Sequence, residues 1–287
     1  MPAKLLDGNV LAQKLKDSLK SGVLELQKKT GRVPKLVNIM IGDDPGSRAY
    51  AGSQKKIAEY IGIQYELVTL SLDVSQKELV GIIDKFNHDS GVDGIMIHQP
   101  VPSHIDERTA ANHVSLTKDI EGVNATNIGK MVLGETSIVP STPAAVMEHL
   151  NSTGISLRGK ETVVVGRSDI VGKPLIFLLL AQNTTVTVCH SATEANRLKD
   201  HVGRAEILIV AVGKPAFIKG DWIKPGAVVV DVGINRVGTQ IVGDVEFEKA
   251  KAKASWITPV PGGVGPVTVV MLMRNVTEAF KNHKIKK

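Results

Sequence analysis

"ETVVVGRSDIVGKPLIFLLLA", residues 161–181, decides the fold. Three valines ahead of Gly166 read as a buried strand, because β-branched side chains fit a pleated sheet. Gly166 ends that strand and lets the chain turn tightly. A helix begins near Val171 and Gly172, so its unpaired N–H groups and positive dipole end face the turn. A strand, a glycine turn and a helix start together form the usual seat of a nucleotide phosphate. The spacing departs from G-x-G-x-x-G: Ser168 stands at the second glycine, and the third comes one place late. A plain structural turn is the competing reading.

Three further β-rich runs follow: "TTVTVCHSAT" (184–193), "AEILIVAVG" (205–213) and "GAVVVDVGI" (226–234). The end of the second strand of such a unit separates NAD from NADP. No Asp or Glu stands there. His190, Ser191 and Thr193 are neutral or weakly basic, and Arg167 lies close by in the glycine turn. These residues favour a ribose 2′-phosphate, hence NADP over NAD; the alternative is that they cap the next helix.

Upstream, "KLVNIMIG" (35–42), "YELVTLSL" (65–72) and "VDGIMIHQPVP" (92–102) read as strands, the last entering a proline-rich loop. Helices are expected over 8–30, after Asp7, and over 75–89, capped by Ser75. Between them "SRAYAGSQKKIAEYIGI" (47–63) reads as a helix with Ser47 as N-cap and Gly62 as stop. Tyr50, Gln54, Ile57 and Ile61 share its apolar face. Lys55 lies about 100° further round and, with Lys56 and Glu59, forms the solvated face. The inward polar pair is Tyr50 and Gln54.

Alternating strands and helices predict α/β architecture with parallel sheets. Two α/β units are expected, joined near residues 115–145, with 115–142 read as loop-rich. A final helix over about 265–282 is expected to pack back on the first unit.

The chain has 287 residues, 43% hydrophobic and 22% charged, as in globular proteins. The N-terminus shows no signal-peptide pattern, and the longest apolar runs are far short of a membrane span. One cysteine, Cys189, excludes an internal disulfide and a cysteine-rich metal site, so a cytoplasmic setting is the default. No zinc-like ligand spacing appears, so no metal is expected. Net charge is +6, but four of the lysines lie in the last seven residues, "KNHKIKK", read as a solvated helix end. With 3% aromatic residues, the composition argues against a nucleic-acid partner.

Two loops stand out. "TPVPGGVGPVTVVMLM" (258–273) brings backbone close to a ligand or another segment, with Pro266 suited to a first helical turn. "KDIEGVNATNIGKM" (118–131) places Asp119 and Glu121 in a loop, where they are surface acids or partners for a donor-rich heterocycle. His98 and Gln99 stand at a strand's carboxyl end, where ligands of open α/β sheets sit.

Together with "SRAY", "DGIMIHQPVP", "KDIEGVN", "STPAAVMEHL", "VVVGRSDIVGKP", "VCHSAT", "KPGAVVVDVGIN" and "VGDV", these stretches resemble the methylenetetrahydrofolate dehydrogenase/cyclohydrolase family over residues 47–273. The resemblance implies a folate-binding catalytic domain over 1–140, completed by 268–287, and a Rossmann NADP-binding domain over 141–267. It implies a homodimer and a site in the cleft. The implied chemistry is oxidation of 5,10-methylenetetrahydrofolate with NADP⁺, then hydrolysis to 10-formyltetrahydrofolate, a step of one-carbon metabolism.

Carried onto this chain, the catalytic positions are Tyr50, Gln54 and His98, and the substrate side adds Gln99, Pro100, Glu121, Gly265 and Pro266. The cofactor side is Thr142, Gly166, Arg167, Ser168, Val171, Gly172, His190, Ser191, Val212, Gly213, Gly233, Ile234 and Thr268. Three positions depart from the family pattern: Gln54 replaces the lysine of Tyr-x-x-x-Lys, His98-Gln99-Pro100 replaces Gln-Leu-Pro, and Glu121 replaces an aspartate. The family assigns its lysine to the hydrolytic step, and glutamine cannot titrate. The expectation is therefore a dehydrogenase with weak or absent cyclohydrolase activity. The alternatives are a fully bifunctional enzyme with His98 or a shifted Lys55 doing the work, a dehydrogenase for another one-carbon carrier, or a binding protein without turnover.

Overall fold

Valine- and isoleucine-rich runs form the strands at the centre of each half of the chain, as expected for parallel sheets covered on both faces. The computed structural model describes residues 2–136 and 138–284; residues 285–287 of the lysine-rich end lie outside the described residues. In chain order the elements are β1 (Lys4–Leu5), α1 (Gly8–Thr30), β2 (Lys35–Ile41), α2 (Pro45–Ile61), β3 (Gln64–Leu70), α3 (Gln76–His88), β4 (Gly94–Ile97), α4 (Glu107–His113), α5 (Ala125–Leu133), α6 (Ser141–Ser152), β5 (Glu161–Val165), α7 (Gly172–Ala181), β6 (Thr185–Cys189), α8 (Ala195–Arg204), β7 (Ile207–Val210), β8 (Val228–Asp231), β9 (Asn235–Val237), β10 (Gln240–Val242), α9 (Phe247–Lys253), β11 (Trp256–Ile257) and α10 (Val264–Lys284).

Two compact units result. One comprises residues 14–141 with 269–287, the other 142–268 with 1–13. Residues 1–13, expected with the N-terminal unit, belong to the second because β1 pairs in parallel with β11, matching Lys4 to Trp256 and Leu5 to Ile257.

In the first unit the sheet order is β3-β2-β4, all parallel. Val37, Ile39, Ile83 and Ile95 fill one face of its core. On the other, Leu272, Met273, Val276 and Ala279 of α10 pack with Leu36, Met96 and Ile120. The final helix is fixed there by polar contacts too. Asn275 Nδ2 donates to the carbonyls of Ile120 and Val139, both at 2.8 Å. The Arg32 guanidinium lies over the Phe280 ring and grips the buried Asp93 carboxylate at 2.6 and 2.8 Å.

α2 starts earlier than expected. Asp44, not Ser47, is its N-cap: the Asp44 carboxylate accepts the Ser47 amide, and Pro45 occupies the first turn. Gly62 closes the helix in the left-handed conformation, as expected. Ser75 caps α3 through a reciprocal capping box with Glu78. The stretch 115–142, expected as loop, contains α5, whose cap Asn124 accepts the Thr126 amide.

In the second unit the order is β1-β11-β8-β7-β5-β6, again parallel. Val163, Val165, Leu208, Val210, Val229 and Ile257 belong to its core. β6 and β7 flank β5 on opposite sides, so the winding direction reverses at β5. Such a reversal opens a crevice at the carboxyl ends of the strands, where α/β sheets take their ligands.

Candidate active site

In the first unit, five of the expected residues come together around the end of β4. His98 follows that strand, held by its amide bond to the Ile39 carbonyl at 2.7 Å, and is 3% exposed. Its ring meets Tyr50 of α2 edge-on, with centroids 5.5 Å apart. The loop bearing Glu121 reaches the same place because Asp119 bridges to Ile95 of β4. Asp119 shapes that loop by accepting the amides of Gly122 and Asn124 and the Asn127 side chain. Gln99 and Pro100 are exposed at the rim, where the Gln99 carbonyl accepts the Ser47 hydroxyl at 3.2 Å.

Gln54 is fully buried one turn beyond Tyr50. Its Oε1 accepts from Asn38 Nδ2 at 2.6 Å and from the Tyr65 hydroxyl at 3.2 Å, and its Nε2 contacts Met96 Sδ at 3.5 Å. It is a neutral linchpin between helix and sheet, while Lys55 points to solvent.

The titrating groups of this pocket are displaced from their ordinary values. Burial, seconded by the Asp119 charge, pushes the Glu121 carboxyl up to about 8, although the Ile97 amide opposes the shift. Burial lowers the His98 imidazole, against opposing effects of the Gln99 backbone and Asp44. Burial raises the Tyr50 phenol, which Gln54 partly offsets and Glu121 reinforces. At neutral pH the pocket therefore holds a carboxylic acid with a proton to give and an imidazole able to take one. His98 Nε2 is buried with no hydrogen-bond partner among the described residues.

In the second unit, the residues of the glycine turn stand at the end of β5. Gly166 has φ +138°, and a Cβ there would lie 2.4 Å from the Ala211 carbonyl oxygen. A Cβ at Gly172 would lie 2.6 Å from the Gly166 carbonyl oxygen. Neither position admits a side chain, so the turn is a backbone cradle against the start of α7, the shape a pyrophosphate fits. Val171 precedes the helix without a side-chain cap, and the Ser168 hydroxyl accepts the Gly172 amide at 3.3 Å. Arg167, Ser168 and Ser191 are exposed. His190 is half-buried; its Nδ1 accepts the Ala192 amide, which leaves its proton on Nε2, and its own amide donates to Thr193. His190 and Thr193 thus order the turn after β6, as the capping alternative requires, with a donor still available.

Val212 and Gly213 follow β7, and Gly233 and Ile234 follow β8, with Ile234 68% exposed. Thr142 lies half-buried in the first turn of α6. Gly265, Pro266 and Thr268 occupy the start of α10, where the Thr268 hydroxyl donates to the Val264 carbonyl at 3.1 Å.

Four contributors escape a reading of the sequence. Asn38 and Tyr65 hold Gln54 but look like ordinary strand positions. Asp231 and Asp244 are buried carboxylates that bind backbone amides around the β7 and β8 ends. The only signal in the sequence is an aspartate inside an otherwise apolar run.

Residues 6–121 match the family model described as tetrahydrofolate dehydrogenase/cyclohydrolase, catalytic domain, and residues 140–284 match that of the same family's NAD(P)-binding domain. The chain belongs to this family. It is 50% identical to the bifunctional protein FolD of Acetivibrio thermocellus over 98% of both chains. The fold matches the crystal structure of the bifunctional FolD dehydrogenase/cyclohydrolase of Campylobacter jejuni with TM-score 0.94 and 40% identity, covering 98% of this chain and 99% of that one. It matches equally, at TM-score 0.94 and 37% identity over 98% of each chain, the Trypanosoma brucei FolD complexed with NADP and an inhibitor. The chain is thus an enzyme of the tetrahydrofolate dehydrogenase/cyclohydrolase type with an NAD(P)-binding domain. The Acetivibrio thermocellus relative is named bifunctional, and the Campylobacter jejuni and Trypanosoma brucei proteins carry both activities in their names, which favours the bifunctional alternative over the loss of hydrolysis expected from Gln54.

Proposed function

We propose that this chain oxidises 5,10-methylenetetrahydrofolate to the methenyl form with NADP⁺ and hydrolyses the product to 10-formyltetrahydrofolate. The observation that carries the second step is the pocket at the end of β4. A neutral carboxyl, Glu121, and a neutral imidazole, His98, surround one tyrosine. Hydrolysis needs an acid and a base whose values are pushed apart, and this pair meets that need without a lysine.

NADP⁺, when bound, accepts the hydride. The chain's own part in that step is alignment. Gly166 and Gly172 would receive the pyrophosphate, and Thr142, Val171, Val212, Gly213, Gly233, Ile234 and Thr268 would line the rest of the cofactor. Arg167, His190 and Ser191 would meet the 2′-phosphate, and no carboxylate stands at the end of β6 to favour NAD. Tyr50, Gln99 and Pro100 would hold the folate. In hydrolysis, His98 would take a proton from the attacking water while Glu121 gives one to the departing ring nitrogen. The working form would be a cytoplasmic homodimer, which sedimentation of the purified chain would check.

One observation favours a dehydrogenase without the second step: Gln54 is buried, neutral and unable to titrate. A single assay separates the two. The purified enzyme is mixed with methylenetetrahydrofolate and NADP⁺, and NADPH and methenyltetrahydrofolate are followed separately. Clearance of methenyl faster than in the enzyme-free control supports both steps. Methenyl that accumulates and decays only spontaneously leaves the dehydrogenase alone.

A further inference from the structure

Asp231, at the end of β8, and Asp244, after β10, are 4% and 0% exposed and lie outside the chemistry described above. Asp244 Oδ2 accepts the amides of Val212 at 2.7 Å and Gly213 at 2.9 Å. Its Oδ1 accepts the Lys214 amide and Asn235 Nδ2, both at 2.8 Å. Asp231 in turn accepts the amides of Gly233 and Asp244 on Oδ1 and of Val245 on Oδ2, at 2.8 to 3.0 Å. Packing around the pair is tight: a Cβ at Gly233 would lie 2.2 Å from Asp244 Cγ, and one at Gly243 2.0 Å from Asp231 Oδ2. Two carboxylates thus fix the ends of two neighbouring strands and the β9–β10 hairpin.

We infer that Asp244, backed by Asp231, is a positioning residue that decides which half of a dinucleotide the β7 end accepts. Because β6 and β7 flank β5 on opposite sides, a dinucleotide with its pyrophosphate at the Gly166 turn lays its adenosine half toward β6 and its other half toward β7 and β8. Asp244 turns the amides of residues 212, 213 and 214 inward. From these three residues the backbone can offer a ligand carbonyl acceptors but no donors. Acceptors suit ribose hydroxyls and a carboxamide NH₂ and repel phosphate oxygens. The β7 end therefore takes the nicotinamide riboside half, and phosphate is confined to the start of α7.

The test rests on the NADP assignment proposed above and separates the two. NADP⁺ and adenosine 2′,5′-bisphosphate, which lacks the nicotinamide half, are titrated by calorimetry into wild type and Asp244→Asn. In the variant a side-chain NH₂ replaces one acceptor and faces amide donors. The expected result is NADP⁺ affinity down about 10-fold or more, with the bisphosphate within about 2-fold, as loss of charge-assisted hydrogen bonds implies. If wild type binds neither compound, the NADP assignment fails. If wild type binds both and the variant loses both equally, or neither, the positioning role is refuted. Should Asp244→Asn not fold, Asn235→Ala removes one donor to Asp244 and must show the same split at about 3-fold, on the scale of one lost hydrogen bond.

Discussion

Replacing Glu121 by glutamine should make this enzyme more stable and less able to hydrolyse. Burial holds the Glu121 carboxyl at about 8 against an ordinary value of 4.5, so the folded state prefers the protonated form. A raised folded value means that stability is fully present below the unfolded value and is lost as pH rises toward the folded one. Each pH unit above the unfolded value costs about 1.4 kcal/mol until the folded value is reached. Relative to a side chain that never ionises, the wild type is then penalised by about 1 kcal/mol at pH 5 and about 3 kcal/mol at pH 7. Partial screening of a half-buried group brings the difference between the two pH values to about 1–2 kcal/mol. Glutamine is neutral throughout, and its carbonyl oxygen can still accept the Ile97 amide. At about 2 °C per kcal/mol for a chain of this size, the melting advantage of Glu121→Gln should widen by about 2–4 °C between pH 5 and pH 7. Thermal unfolding of both proteins across that range measures it. An advantage that stays flat, or shrinks as pH rises, would refute the reasoning that burial keeps this carboxyl protonated. Hydrolysis of supplied methenyltetrahydrofolate should fall about 100-fold or more, since an amide cannot transfer the proton.

Asp93→Asn should cost about 2–4 kcal/mol, because it leaves the Arg32 guanidinium facing a neutral group in a largely buried site. Burial raises the Asp93 carboxyl, but hydrogen bonds from His283 and Arg32 outweigh it and hold it below its ordinary 3.8, so the wild-type advantage seen in urea unfolding should persist above that pH and fade as pH falls below it. Gly166→Ala places a methyl 2.4 Å from the Ala211 carbonyl oxygen and should abolish NADP⁺ binding in calorimetry, while adding no strain to the β4 pocket. Gln54→Lys should raise methenyl hydrolysis while lowering the melting temperature, because an ammonium cannot accept the hydrogen bonds that Asn38 and Tyr65 now donate; unchanged hydrolysis would remove position 54 from the account.

The β5–α7 junction was legible because a strand that must be apolar, a turn that admits no Cβ and a helix start each leave a local mark. Alternation of such junctions gave the parallel sheets, and the helical spacing of Tyr50, Gln54 and Ile61 gave the inward face of α2. What stayed hidden depends on partners distant in the chain. Residues 1–13 read as the start of the first unit, and only the pairing of β1 with β11, about 250 residues away, assigns them to the second. Asp44 displaced Ser47 as cap because capping is decided by which side chain meets the free amide, and both types serve equally well on paper. Asp231 and Asp244 stayed hidden because their backbone partners come from three separate segments.

The three departures from the family pattern in the β4 pocket are best understood as one electrostatic change. A lysine at position 54 would place a cation beside Tyr50 and favour an ionised acid at 121, as any opposite charge does within a few ångströms. With Gln54 in its place no lysine opposes burial, the largest influence on Tyr50 and Glu121, and both are raised. A protonated acid cannot act as a base, and glutamine cannot either. His98 lies edge-on to Tyr50, burial keeps it neutral, and its Nε2 has no partner among the described residues. On the function proposed above, the His98 imidazole at the end of β4 would be the base that a neutral Gln54 and a protonated Glu121 cannot be.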